Sequence, residues 1–511
     1  MPLRPVSEVS GSQLAAGKRA LVWDAAWASV TGALSGGVLL VAFALTLGAG
    51  PLTIGFLAAI PLIAQAAQLP GIVLVERLRQ RKKIGVIALT IARGLILAMA
   101  LLPFLPNPAW QLPLLIAIQL VVSALGSLGA CAINSWFHQL LPPQGLGSFF
   151  AKRLLVATAL ACIGTLGAGM LVDNVPPDRA LQAYALAFAG AGVAGFLSSA
   201  YLTRTPEPWM QKAGPRVSLW SKLKVPFHDP NFRHVLTLMG GWNLATNVAA
   251  PFLTVYLIQQ LGYGLGTVTL LWVTSQTASA VTLYLWGRLS DRLSNKAILA
   301  VALPVYFVCT LGLVFTRVGA PYDLQLPLLY LVHLMMGAAS GGIGLATGNL
   351  GLKLAPQGQG TAYLAAIGLV CALAGGLAPL AAGLVAHWLE ARQLSVVVRW
   401  VSPFQSGEVS VLQFAHFEFL FAVSALLGLY VMHALSRIQE GTEISERRVM
   451  QEFALEALRT VNQVSSIGGA LGALVPFERL SERRRAVRPP HGGVRGASER
   501  AIQPVTEGAH D

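Results

Sequence analysis

The chain has 511 residues, 55% of them hydrophobic and only 11% charged, with a formal net charge of +14. That balance excludes a disordered chain and fits a soluble globular domain poorly, because apolar runs of about 20 residues, each long enough to cross a bilayer, recur along the whole length. The basic excess lies between these runs, so it reads as a topology signal and no nucleic acid is expected as a partner.

Residues 1–20 form a short N-terminal segment in which Arg4, Lys18 and Arg19 are not followed by the short apolar core and small-residue cleavage site of a signal peptide. Twelve spans then follow, at 21–47, 51–75, 84–105, 112–137, 151–172, 181–202, 233–258, 265–286, 297–316, 326–349, 361–385 and 413–435. A polar, proline-rich stretch at 204–232 reads as a linker between a first half, 21–203, and a second, 233–436. In the tail, 437–511, residues 443–465 place Met450, Phe453, Leu458 and Val461 on one face of an amphipathic helix, bound to the membrane surface or to the loops, or merely solvated. The arginine-rich end at 481–500 reads as disordered. Lysine and arginine crowd the segments on one side of the spans, which predicts a multi-pass protein of the cell (inner) membrane with both termini cytoplasmic.

The two halves repeat. Leu47-Gly48 ends the first span as Leu261-Gly262 ends the seventh. Glu76-Arg77 follows the second as Asp291-Arg292 follows the eighth, and Pro143-Gln144-Gly145 precedes the fifth as Pro356-Gln357-Gly358 precedes the eleventh. All three pairs are separated by nearly the same number of residues. Between the eighth and ninth spans, Gly287, Asp291, Arg292 and Lys296 match the loop pattern G-x-x-x-D-R-x-G-R-[RK], with Ser294 and Asn295 in place of its second glycine and an arginine. The Glu76 copy is degenerate: Arg79 stands where the second glycine would be. On these features the chain resembles the major facilitator superfamily of transporters. The resemblance implies an all-α membrane protein of twelve transmembrane helices in two pseudo-symmetric six-helix bundles, with a small-molecule site near the midplane between them. It also implies that the loop of one half lies beside the fifth helix of the other, bringing Asp291 near Lys152 and Arg153.

There is no nucleotide-binding loop, no metal-ligand spacing and no hydrolytic constellation, so neither an enzyme nor a cofactor is expected. Cys131, Cys162, Cys309 and Cys371 lie within apolar segments and read as packing residues. Charges within spans are few. Asp24 reads as a proton or cation site, or as a structural acid paired with Arg93, Lys152 or Arg153. Glu418, at the outer end of the twelfth span, reads as a snorkelling side chain. By the resemblance, the first, fourth, seventh and tenth spans line the cavity and offer Gln119, Asn134, Trp242, Asn243, Asn247, His333 and Asn349. His333 is a proton carrier or a structural histidine. The function expected is a monomeric secondary transporter of a small organic solute, in contact with membrane lipid and coupled to an ion, the proton first. The alternative is a non-transporting protein on the same scaffold, a receptor or a complex or pigment assembly factor.

Overall fold

The computed structural model describes residues 5–142, 146–210, 219–290, 294–317, 324–356, 360–401, 406–441 and 449–456. The first span is a broken pair, α1 (Gly11–Ser35) and α2 (Gly37–Thr46). It begins at Gly11, not at 21, because Ser10 and Gln13 form a reciprocal capping box there. The second is α3 (Pro51–Ile63) and α4 (Gln68–Leu78), joined by a 3-10 turn just after Pro61. Then come α5 (Arg81–Met99), α6 (Gln111–Leu140), α7 (Leu146–Asp173) and α8 (Ala180–Thr203). A short α9 (Leu219–His228) leads into the second half: α10 (Pro230–Val255), α11 (Leu265–Ser290), α12 (Asn295–Gly312), α13 (Gln325–Lys353), α14 (Gly360–Leu389) and α15 (Glu418–Ser436). Among the described residues nine candidate spans are long and apolar enough to cross a membrane. α5, α10 and α11 stand at the other three expected spans and carry more polar residues.

The repeat is visible in the backbone. Gly48 and Gly262 both take positive φ, +84° and +74°, and end the first and seventh spans with the left-handed turn that glycine makes without strain. Arg79 takes the same conformation, φ 53°, at the end of α4, which gives a physical reason for a glycine at that place in the loop pattern.

Two expectations need correction. Residues 393–415 are not irregular loop and span. Gln393–Val401 (β1) pairs antiparallel with Ser406–Ala415 (β2), Val398 opposite Val409. The β-branched run Val396-Val397-Val398 favours this, and the twelfth span starts only at Glu418. Glu418 is fully buried and does not snorkel: its carboxylate accepts from the Ala415 backbone at 2.7 Å and from the Gln260 carboxamide at 3.3 Å. At the start of the 204–232 stretch, Thr205 and Glu207 are buried against the first half, and Val6 pairs with Pro208. Within the tail, residues 449–456 are helical, Val449 is buried in the second half's core, and the Phe453 ring lies 4.4 Å from that of Trp286.

Lipid is as apolar as leucine, so these helices pack by close fit of small residues. Gly337, Gly341 and Gly342 of α13 sit against Ser275, Ser279 and Trp286 of α11. We call the end of the bundle where α1 begins the basic end. At the opposite, far end one apolar cluster runs through both halves, joining Phe43 and Ile54 to Phe252, Val268 and Ala382. At the basic end the clusters are separate: Leu21, Val86, Trp136 and Leu202 in the first half, and Phe232, Ile298, Leu350 and Leu435 in the second.

Candidate functional site

Four helices of the first half meet around Asp24. Ser198 of α8 donates to Asp24 Oδ1 at 2.6 Å and accepts from Arg93 Nη2 of α5 at 2.7 Å. The other Arg93 nitrogen donates to Ser199, which also bonds Thr90 at 3.0 Å. Arg153 of α7 approaches Asp24 Oδ2 at 3.6 Å, donates Nε to the Leu21 carbonyl at 3.2 Å and lies 5.5 Å over the Phe137 ring. Asp24 and Arg93 are only 4% and 5% exposed, so each needs the partners it has. Gly195 makes the space: a Cβ there would stand 2.6 Å from the Arg93 stem. Of the sequence candidates, Asp24, Arg93 and Arg153 are thus brought together, whereas Lys152 is exposed.

Between the halves lies a cavity of about 500 Å³. Its wall takes Gln119 from α6, Thr254 from α10, Trp272 and Gln276 from α11, Tyr306 from α12 and His333 from α13. A side chamber of about 250 Å³ shares Trp272 and adds Ser29 and Thr165. Gln119 and His333 were legible in the sequence; Trp272, Gln276 and Tyr306 were not, since they lie outside the four helices the resemblance named. Trp242 packs its ring against Tyr306 at 4.9 Å, behind the wall. Asn243 and Asn247 bond back to their own helix, at Met239 and Asn243 carbonyls, and face Gly375 of α14. Asn134 is exposed and Asn349 half-buried; neither lines these two cavities.

The far end is closed by contacts between halves. Asp173, at the end of α7, accepts from the backbone amides of Leu265 and Gly266 at 2.8 and 2.7 Å, capping the start of α11. Gly264 and Gly266 admit it: a Cβ on either would come within 2.8 Å of its carboxylate. α3 and α14 meet backbone to backbone, Gly55 against Pro379 and Gly383 against Pro51.

The description of the major facilitator superfamily matches residues 25–379 of this sequence. The chain belongs to the major facilitator superfamily. Solved structures of superfamily transporters share its fold. A mutant of the nucleoside transporter NupG superposes with a TM-score of 0.62 at 13% identity, over 82% of this chain and 99% of that one. A POT family transporter in complex with a thioalcohol-conjugated peptide gives 0.60 at 12%, over 83% and 96%. A D-xylose–proton symporter gives 0.59 at 15%, over 85% and 98%. A search of curated proteins finds no match.

In this superfamily member the loop pattern is only partly in view. Asp291 and Arg292 lie outside the described residues; Gly287 is half-buried. Arg153, expected beside Asp291, spends the donors described here inside its own half. Glu76 is half-buried and Arg77 exposed. What does appear is a carboxylate strap in each half. Glu207, just past α8, accepts from the Arg81 backbone at the start of α5 at 2.7 Å, and from that of Lys82. The Arg81 side chain reaches Glu207 at 3.5 Å and the Ser135 and Pro208 carbonyls. Glu440, just past α15, accepts from the backbones of Asn295 and Lys296 at the start of α12, at 3.1 and 2.6 Å, and pairs with Lys353 at 3.1 Å. Burial pushes the Glu207 carboxyl up from its ordinary value. Burial acts likewise on Glu440, but the bonds from Lys296, Asn295 and Lys353 outweigh it and hold that carboxyl below.

Proposed function

We propose that this chain is a monomeric secondary transporter that moves a small organic solute through the central cavity by alternating access, with a proton carried at Asp24. The basic end is cytoplasmic in this reading, in a cell membrane, and the contacts of Asp173, Gly55 and Gly383 close the outside. The observation that supports coupling is the unequal hold on the charges around Asp24. Arg93 is fixed by two serines. Arg153 is held to Asp24 only at 3.6 Å, beyond hydrogen-bond reach. A proton on Asp24 removes the charge that draws Arg153 inward and leaves the Arg93–Ser198–Ser199 set intact. Among the described residues Arg153 then keeps the Leu21 carbonyl and the Phe137 face, and α7 loosens from α1 at the basic end. A proton-symporting relative in fold, the D-xylose–proton symporter, agrees with this reading.

The test is Asp24→Asn in proteoliposomes. Accumulation driven by a pH gradient should be lost while solute exchange without a gradient persists. Loss of both, with the protein correctly folded, would remove the coupling assignment. A wild-type protein that shows no counterflow with any solute would favour the non-transporting alternative.

A further inference from the structure

The cavity wall itself narrows what can occupy it. Among the described residues, none that lines the main cavity is aspartate, glutamate, lysine or arginine. The charged set around Asp24 is not part of this wall. An ionised solute would therefore lose its water and gain no counter-charge, which disfavours it strongly.

The polar groups that do face the cavity are neutral, and Gln119, Gln276 and His333 keep hydrogen-bonding capacity for a ligand. Gln119 is 8% exposed, and among the described residues its carboxamide has no hydrogen-bond partner. Its carboxamide opens onto the cavity, so a ligand there meets a group that both accepts and donates. Gln276, also on the wall, is likewise unpartnered among the described residues. It stands one turn from Trp272 on the same face of α11. His333 is 6% exposed, with Nδ1 at 2.8 Å from the Leu329 carbonyl. A carbonyl only accepts, so Nδ1 holds the hydrogen, and Nε2 of the neutral ring is left as an acceptor. A solute must then offer His333 an N–H or O–H. The remaining broad surfaces are aromatic. Trp272 borders both chambers, and Tyr306 is braced from behind by Trp242 and Phe307. Such braced rings favour a flat partner.

The geometry points to an uncharged heterocycle with N–H and C=O groups on its edge, alone or joined to a neutral polyol, as the ligand of this cavity. Occupancy stands by itself; only movement of the ligand rests on the transport reading. The probes are uracil and uridine, against orotate as an ionised analogue and xylose as a neutral polyol without a flat ring. Binding is measured by calorimetry on the full-length protein in nanodiscs. Uracil or uridine should bind, orotate about 100-fold more weakly or worse, and xylose more weakly than uridine. Gln119→Leu should weaken binding about tenfold or more without lowering the Tm of the empty protein. If that variant fails to fold, Gln276→Leu serves and should weaken binding in the same direction. The assignment is overturned if neither uracil nor uridine binds, if orotate or xylose binds as tightly, or if no folded variant weakens the binding. Counterflow separates the two readings. Uridine that binds through Gln119 but does not cross sinks transport and keeps the ligand class. Orotate that crosses while uridine does not keeps transport and sinks the class.

Discussion

At the basic end the two halves use one device: a carboxylate past the sixth helix caps the start of the third, Glu207 on α5 and Glu440 on α12. Within the membrane they use another: a glycine on the sixth helix receives a large side chain from the third. Gly195 receives Arg93, and Gly428 receives Phe307 so closely that a Cβ would overlap its ring. When the repeat is laid over itself, Phe307 stands at the place of Arg93 and Leu238 at the place of Asp24. The frame is duplicated and the charge is not. The first half therefore holds a buried acid and a buried base, and the second has a plain apolar joint there.

The strongest way to break the comparison is to give the first half the second half's residues. Arg93→Phe alone leaves the buried Asp24 with Ser198 and, as a nearby charge, the more distant Arg153, and should cost about 3–5 kcal/mol of stability. Adding Asp24→Leu should recover most of that, because a buried charge set replaced by packed apolar groups is often neutral or better. Thermal unfolding of the single and double variants checks this. A double variant no more stable than the single would show that the halves are not interchangeable at this joint.

The next effect is at the far end, where the halves touch. Asp173→Ala removes two charge-assisted bonds and should shift the population toward a far-end-open state by about tenfold or more. Spin-label distances across that end should lengthen, and those across the basic end shorten. Unchanged distances would assign Asp173 to folding alone.

The smallest effect separates the straps. Glu440 titrates below its ordinary value of 4.5, so its contribution is present above that value and is lost as the pH falls through the folded value. Glu440→Gln should cost about 1–3 kcal/mol at pH 7 and less at pH 4. Glu207 is shifted upward, so its contribution is present below its unfolded value and fades as the pH rises through the folded one. Glu207→Gln should cost less than Glu440→Gln at pH 7. Parallel unfolding at the two pH values tests the order, and equal costs would refute it.

Most of the spans were legible because membrane helices announce themselves by length and apolarity, and the repeat because Leu47-Gly48 and Leu261-Gly262 mark a fixed backbone turn. The cavity wall was less so. A helix apolar on every side shows no face, so nothing local marks Trp272, Gln276 or Tyr306 as inward. Ser198 reaches Asp24 across 174 residues, a partnership no local pattern reveals. Of the hairpin at 393–415, the last residues, 413–415, merge with the helix that follows, and the rest falls between two spans. Glu207 did carry a signal, an acid between Pro206 and Pro208, in a stretch whose prolines read as linker.

The straps also set an order of assembly during synthesis. The amides at the start of α5 leave the ribosome 126 residues before the carboxylate that caps them. Until Glu207 follows, six spans can be inserted while the start of the third still lacks its protein partner. The first half is finished by a residue beyond its last helix, and Glu440 finishes the second in the same way. Each half thus has its own closing step in biogenesis, and the first can be complete before the second has begun to enter the bilayer.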